Sequence, residues 1–345
     1  MGAISKNGSL TIMQPTPSSL STGPFPLVSI ALCVYNGSKF LRQQLDTLVG
    51  QRYPNLEIIA VDDCSRDTSR EILQEYEQRF PFLKIYENEA NLGYVKNFEK
   101  AISLCSGEYI ALSDQDDTWD LDKIRIMVEN IGTHKLVYHD SRFMEDSGEM
   151  MDKKMSDIIH LYSGDQPEVF YFFNCVSGHS CLFKRELIPD ILPFHPEHFH
   201  DHWIAYVAVN LGTIGYVHKP LVNYRQHPTT STDILNKRKK FRKNYHENRD
   251  IKKLRRDLKW IKYCNTFQKN KNADFLNRLH ELFEKRLDTW FSFGYARLID
   301  KHFDILFYIQ KYRKSTKRAF VYRQIWGLKA KLLWARLFSY WAEEE

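Results

Sequence analysis

The sequence predicts an α/β fold with a doubly wound, mostly parallel sheet, followed by a C-terminal helical appendage. Three observations predict it: strand and helix patterns alternate from Leu27 onward, polar residues follow the apolar strands, and the sequence changes character after residue 235. Side chains that follow parallel strands meet at one edge of the sheet, where ligands bind. We therefore expect a functional site at the strand ends.

The alternation of elements is clearest before residue 114. Apolar, β-branched runs predict strands, and apolar residues three and four positions apart predict helices. The predicted strands are 27–34, 56–61, 83–86 and 108–113. The predicted helices are 39–49, one that begins near Thr68, and 97–104. Thr68 and Glu71 have the spacing of a capping box, which would fix the start of the second helix.

Composition limits the class of protein. At 345 residues with 43% hydrophobic content, the chain can form one large domain with an appendage. Its six cysteines include no CxxC pair and no zinc-like spacing, which predicts reduced thiols and a cytoplasmic location. No signal peptide and no apolar run of membrane-spanning length is visible in the sequence. Residues 1–26, rich in Ser, Thr, Pro and Gly, are predicted to be a disordered tail.

A carboxylate cluster, Asp114-Gln115-Asp116-Asp117, directly follows the apolar run at 109–112. Hard oxygen ligands at the carboxyl end of a buried strand suit a divalent cation that sits on a diphosphate. A solvated acidic turn is the alternative, because acidic strand-to-loop junctions are common.

Several motifs carry a family resemblance. Segments 28–37 (VSIALCVYNG), 61–68 (VDDCSRDT), 91–93 (NLG) and 114–117 (DQDD) resemble the family 2 glycosyltransferases. These are inverting enzymes with an A-type fold that binds nucleotide-diphospho-sugars, which implies such a domain over residues 27–235. Segments 177–180 (SGHS), 200–203 (HDHW) and 221–227 (LVNYRQH) resemble the rhamnosyltransferase-like subgroup, which builds bacterial surface polysaccharides.

The resemblance assigns five residues to the nucleotide. Asp63 accepts a hydrogen bond from the imide N–H of uracil or thymine, and Tyr35 lies against the base. Cys33 reaches the base through its backbone, Asn91 lies near the ribose and donor sugar, and Asp114 faces the ribose or a metal-bound water. The alternatives are structural: Asp63 starts a turn, Tyr35 covers the core, and Asn91 marks a turn.

The resemblance also implies a divalent cation, Mg²⁺ or Mn²⁺. Asp116 takes the position of the metal ligand, with Asp114 and His227 beside it. Asp117 either contacts the donor sugar or caps the turn. Relatives usually follow the histidine with Gly and Asn, whereas Pro228 follows it here.

The second half of the domain is expected to bind the acceptor. Inversion by a single displacement needs a base on the face of the sugar opposite the leaving group. Asp201 matches the family's base, and an N-cap for the following helix is its alternative role. Gly178, His179 and Trp203 are assigned to the donor and acceptor sugars, although a lone histidine in apolar surroundings is more often structural.

Residues 236–345 form a basic, aromatic-rich region with helical patterns. Between Lys237 and Lys262, 13 Lys or Arg residues stand against three acidic ones. An apolar stripe between Arg323 and Trp341, with basic residues beside it, predicts either a helix on an anionic membrane or a helix packed on the catalytic domain. Nucleic acid is not a predicted partner, because no recognition motif accompanies the charge.

The predicted function is inverting transfer of a sugar from a UDP- or dTDP-linked donor to a saccharide hydroxyl, in O-antigen-like or capsule-like polysaccharide biosynthesis. The acceptor is either free or lipid-linked, and the protein is either wholly cytoplasmic or peripheral on the inner face of the membrane. Two alternatives stay open: the same fold acting on a protein or small molecule, and a non-catalytic adaptor. The intact carboxylates and candidate base disfavour the adaptor.

Overall fold

The computed structural model describes residues 25–227, 245–311 and 314–341. Its strands are β1 (Val28–Val34), β2 (Leu56–Asp62), β3 (Leu83–Glu87), β4 (Tyr109–Ser113), β5 (Thr118–Trp119), β6 (Leu136–Glu145), β7 (Met150–Lys154), β8 (Cys181–Lys184) and β9 (Ile214–Gln226). Its α-helices are α1 (Leu41–Val49), α2 (Ser69–Arg79), α3 (Tyr94–Leu104), α4 (Lys123–Ile131), α5 (Met155–Ile158), α6 (Ile188–Ile191), α7 (His200–Leu211), α8 (Tyr245–Cys264), α9 (Ala273–Asp288), α10 (Phe293–Lys301), α11 (Phe303–Leu306), α12 (Lys314–Gln324) and α13 (Leu328–Trp341).

The strands form one sheet in the order β3-β2-β1-β4-β8-β6-β9-β5, with β7 paired to β6. Strands β1 to β4 are all parallel, as the alternating pattern predicts. Beyond β4 the sheet is mixed, because β8 runs antiparallel to both of its neighbours. Every residue of β1 is buried, since helices and their hydrophobic cores cover both faces of the sheet. The predicted α/β fold class is confirmed.

The start of α2 differs from the prediction. Thr68 is its N-cap residue but makes no side-chain capping bond, so the predicted capping box is wrong. Asp67 takes this role instead: its carboxylate accepts hydrogen bonds from the backbone N–H groups of Ser69 and Ser38, each at 3.0 Å. The bond to Ser38 ties the start of α2 to the loop after β1.

The C-terminal helices share a hydrophobic core with the sheet domain. Trp260 of α8 packs against α7, and its indole N–H donates to the carbonyl of Phe170 at 3.0 Å. The basic run is described only from residue 245, and residues 1–24 of the predicted tail lie outside the described part. No described helix is long and apolar enough to cross a bilayer.

The predicted amphipathic helix at the C-terminus is interrupted. α12 ends at Gln324 and α13 begins at Leu328. The segment between them pairs with residues 290–292: Gly327 N–H donates to the Trp290 carbonyl at 2.9 Å and Ser292 N–H to the Ile325 carbonyl at 2.7 Å. A Cβ at position 327 would overlap the backbone of Thr289, so the close approach requires glycine.

Candidate active site

A cavity of about 1100 Å³ opens where β1, β2 and β4 end. Residues 174–179 and the start of α7 also line it. Ten of the twelve residues that the sequence assigns to the site line this cavity: Cys33, Tyr35, Asp63, Asn91, Asp114, Asp116, Gly178, His179, Asp201 and His227. Asp117 and Trp203 do not line it.

Asp63 organises the loop between β3 and α3. Its carboxylate accepts hydrogen bonds from the backbone N–H groups of Leu92 (2.8 Å) and Gly93 (2.9 Å) and from the amide of Asn88 (2.7 Å). Asn91 donates to the Asp63 carbonyl at 3.1 Å. A carboxylate can accept about four hydrogen bonds, so one acceptor position is left for a ligand in the cavity.

Gln115, which sequence reasoning left without a role, links two strand ends. Its side-chain oxygen accepts from Tyr35 N–H at 2.8 Å, and its amide nitrogen donates to the Tyr35 carbonyl at 3.0 Å. Asn36, the residue after Tyr35, has a left-handed backbone with a φ of 47°. A Cβ at position 37 would overlap the Gln115 side chain, so this close approach requires Gly37. The two loops that the sequence assigns to base and metal are therefore one hydrogen-bonded unit.

Arg225 supports the carboxylate cluster, a role that the sequence did not predict. It is 2% exposed. Its backbone N–H donates to the Asp117 carboxylate at 2.9 Å, and its guanidinium donates to the Asp116 carbonyl at 2.7 Å and to Gln43 at 2.8 Å. A buried guanidinium with several acceptors gives a rigid support, so the turn at 114–117 is fixed in position.

Three carboxyl groups are concentrated at this turn. Burial, with Asp116 and Asp201 nearby, raises the pKa of Asp114 to about 7. Burial, with Asp116 and Asp114 nearby, also raises the pKa of Asp117 well above its usual value. His227 Nε2 lies 2.7 Å from Asp116 Oδ2 at the cavity wall. A cation would relieve the mutual repulsion of these carboxylates.

Asp117 lies below the cavity floor rather than in its wall. It is fully buried, so the predicted contact with the donor sugar is wrong. Its Oδ2 has no hydrogen-bond partner among the described residues and lies 3.6 Å from His179 Nδ1. Ligand atoms of Asp114, Asp117 and His179 lie within 4.8 Å of one another. These oxygen and imidazole donors fit Mg²⁺ or Mn²⁺.

His179 lies against the carboxylate of Asp117 and helps to fix the position of the carboxylate cluster. It is 3% exposed, its Nε2 lies 2.8 Å from the Ser141 hydroxyl, and burial lowers its pKa to about 3. The imidazole is therefore neutral at physiological pH, which is the form that binds metals.

Asp201 lines the same cavity as Asp114 and Asp116 of the carboxylate cluster. The N-cap of α7 is Phe199, so Asp201 belongs to the first turn and the alternative N-cap role is wrong. Its Oδ2 accepts from Gly178 N–H at 3.3 Å and its Oδ1 from its neighbour's N–H at 2.6 Å. Burial raises the pKa of Asp201 to about 6. Its proton affinity is thus suited to general-base catalysis near neutral pH.

Trp203 belongs to the hydrophobic core. Its indole N–H donates to the Ile191 carbonyl at 3.0 Å, and its ring centroid lies 4.3 Å from that of Tyr263. It is 6% exposed, so the predicted contact with a sugar is wrong. Two residues beyond Asp201 on a helix, a side chain points away from it, in this case toward α8.

The fold is that of A-type glycosyltransferases. The structure resembles S. aureus TarS 1-349 in complex with UDP-GlcNAc, with a TM-score of 0.52 and 15% identity over 81% of each chain. A second structure of S. aureus TarS aligns with a TM-score of 0.53 and 15% identity over 87% of this chain and 54% of that chain.

The family model for glycosyl transferase family 2 matches residues 29–192. This stretch, slightly less than half of the chain, is similar to the family 2 glycosyltransferases. EpsH of Bacillus subtilis, named as a glycosyltransferase, is 34% identical over 59% of this chain and 61% of EpsH. TuaG of the same species, named for teichuronic acid biosynthesis, is 36% identical over 30% of this chain and 41% of TuaG. The matched stretch thus spans less than two thirds of either relative.

The Gln115 link predicts a local effect on the backbone. Gln115→Ala removes both bonds to Tyr35 and is expected to lower the free energy of unfolding by about 1 kcal/mol. Amide hydrogen exchange at Tyr35 should accelerate, because its N–H loses its partner. Gln78→Ala, which changes an exposed glutamine of α2, is the control. Unchanged exchange at Tyr35 in Gln115→Ala would contradict the link.

Proposed function

We propose that the protein transfers one sugar from a nucleotide-diphospho-sugar to a saccharide hydroxyl and inverts the anomeric carbon. The observation that carries this proposal is a single cavity that Asp63, Asp114, Asp116 and Asp201 all line. Candidate ligands for a nucleotide and a cation thus share one cavity with a separate carboxylate whose pKa is raised. Two carboxylate groups with different environments suit different roles.

In this proposal Asp201 takes the proton of the acceptor hydroxyl. The hydroxyl oxygen forms a bond to the anomeric carbon while the bond from that carbon to the diphosphate breaks on the opposite face. The nucleoside diphosphate leaves with the bonding electrons. Gly178 N–H, which donates to the Asp201 carboxylate, keeps the base oriented toward the cavity.

We further propose a UDP- or dTDP-linked donor and a role in bacterial surface polysaccharide biosynthesis. The solved TarS structures with UDP and UDP-GlcNAc support a uridine donor, because they share this fold. The names of TuaG and of the Escherichia coli colanic acid protein WcaA support a polysaccharide product. A lipid-linked acceptor and the rhamnosyltransferase-like subgroup stay predictions that rest on sequence motifs.

A divalent cation, Mg²⁺ or Mn²⁺, is proposed to be held by Asp114, Asp116 and His227 rather than by the group of Asp114, Asp117 and His179, because Asp116 and His227 line the cavity that a diphosphate would enter whereas Asp117 is fully buried outside it. The contact between Asp116 and His227 and the concentration of carboxylates support this ligand set. When bound, the cation would supply positive charge that stabilises the departing diphosphate.

An anionic membrane surface on the cytoplasmic side is the proposed location. Exposed aromatic residues cluster where the segment between α12 and α13 pairs with the loop before α10: Trp290, Phe291, Phe293 and Trp326. The Phe291 ring lies 5.4 Å from that of Trp326 and 5.8 Å from that of Phe293. Exposed basic residues flank them, among them Arg297 and Lys329. Aromatic rings beside cations are typical of a membrane-binding surface.

Asp201→Asn tests the base. The variant keeps the shape of the side chain but cannot accept a proton, so kcat should fall by about 10²- to 10⁴-fold. Donor affinity, measured separately by calorimetry, should stay within a few-fold of wild type. Asp165→Asn, at an exposed carboxylate, is the control. A variant as active as wild type would place the base elsewhere.

The pH profile gives a second readout of the same base. With donor and Mn²⁺ saturating, so that the carboxylates at 114–117 already hold the cation, kcat should rise from pH 5 and level off above pH 7, because Asp201 acts when deprotonated and its pKa is about 6. The rise should be absent from the residual activity of Asp201→Asn.

Asp116→Ala tests the cation. Release of nucleoside diphosphate should be lost, and binding of Mn²⁺ in the presence of UDP should weaken by at least tenfold, because one charged ligand is gone. Asp152→Ala, at an exposed aspartate on β7, is the control. Turnover that a chelator leaves unchanged would refute the proposed cation.

The membrane surface is tested with vesicles. The double variant Phe291→Ala/Phe293→Ala should reduce co-sedimentation with anionic vesicles by about tenfold or more, because two exposed aromatic side chains that would enter the membrane are lost. Tyr308→Ala, at an exposed tyrosine outside the cluster, should bind like wild type. Equal sedimentation of all three proteins would mean that the cluster does not bind lipid.

A further inference from the structure

Lys39 and Asp146 form an ion pair at the rim of the cavity. Lys39 lies between β1 and α1, and Asp146 lies in the turn between β6 and β7. The lysine Nζ lies 2.8 and 2.7 Å from the two carboxylate oxygens. Both residues line the cavity, and their side chains are 65% and 43% exposed. The pair therefore connects two loops in contact with solvent.

Lys39 is chemically unusual for this cavity. Among the described residues it is the only lysine or arginine in the lining. The carboxylates in the same lining are Asp63, Asp114, Asp116, Asp146 and Asp201. A diphosphate that enters this cavity meets repulsion from these groups, and a lysine at the rim is a point charge that can offset it.

The pair lies at the end of the cavity where the proposed cation would bind. The ring of Phe40, next to Lys39 in sequence, lies 5.6 Å from the ring of His227. His227 in turn contacts the carboxylate of Asp116. Lys39 Nζ also lies 4.6 Å from the Phe40 ring centroid. The lysine is thus near the diphosphate position that the proposed function implies.

We propose that Lys39 binds the diphosphate of the nucleotide donor and that Asp146 holds the lysine when the cavity is empty. This inference rests on the proposed function. An exposed ion pair adds little to stability, so Lys39 can exchange partners at small cost. The diphosphate offers more negative charge than one carboxylate and has oxygens that accept charge-assisted hydrogen bonds. Asp146 therefore competes with the ligand for the same ammonium group.

Competition and a purely structural link predict opposite effects of Asp146→Asn on the affinity for the diphosphate. If Asp146 competes, Asp146→Asn releases Lys39 and strengthens diphosphate binding, whereas Lys39→Ala weakens it. If the pair only links two loops, both substitutions should weaken diphosphate binding. Lys39→Arg keeps the charge and should retain most of the affinity.

The experiment is calorimetric titration of each variant with UDP and Mn²⁺, and separately with uridine. We expect Lys39→Ala to weaken UDP binding by about 10- to 100-fold, consistent with loss of a charged hydrogen bond, and to leave uridine binding nearly unchanged. Asp146→Asn should tighten UDP binding by a few-fold, and added salt should reduce the difference between the variants.

Two results would overturn the proposal. One is equal loss of UDP and uridine affinity in Lys39→Ala, which indicates a general change in the pocket. The other is weaker UDP binding in Asp146→Asn. Thermal melts of the variants check that each is folded. If wild type binds neither UDP nor dTDP, the proposed function itself fails, and this inference falls with it.

Discussion

The hydrogen bonds that Arg225 donates to the turn at 114–117 are the constraint on which the site depends. They reach the backbone of Asp116 and the carboxylate of Asp117 across more than a hundred residues of sequence. The first half of the chain supplies the carboxylates, and β9 supplies the arginine that fixes them. Neither half of the sheet forms this site alone.

This constraint has an electrostatic consequence. Three carboxylates within four residues repel one another, and burial raises the cost of their charge. The positions of these groups are set by backbone bonds and by the link from Gln115 to Tyr35. Polar groups held in place before a ligand arrives need little reorganisation when it binds. The free energy of folding therefore offsets the electrostatic cost of placing three carboxyl groups within four residues.

Sequence patterns predict the parallel half of the fold because they reflect local physics. Apolar runs and helical spacing identify β1 to β4, and strand ends identify Asp63 and Asp114 as candidates. The mixed half was not predicted, since antiparallel pairing of β8 with β4 and β6 depends on contacts between distant segments. The interruption after Gln324 was missed for the same reason: residues 290–292 cause it.

Errors at the candidate site have a similar origin. Trp203 follows a motif residue but faces the core, because a helix turns neighbouring side chains in different directions. Asp117 belongs to the cluster but points downward to Arg225. Gln115 is hydrogen-bonded to a residue 80 positions away in the sequence, and Arg225 to one 109 positions away. Lys39 forms its ion pair with a residue 107 positions away. No local pattern in the sequence carries that information.

The packing of α8 against α7 has a consequence for how such proteins can be recombined. The ring of His202, next to Asp201, stacks on Trp260 with centroids 3.9 Å apart, and the same histidine contacts the Phe170 carbonyl at 2.7 Å. The helix α7, which carries the candidate base, therefore packs on one side against the C-terminal region. A chimera that joins the first 235 residues to a foreign C-terminus would inherit the nucleotide half intact and a base whose orientation depends on the new partner.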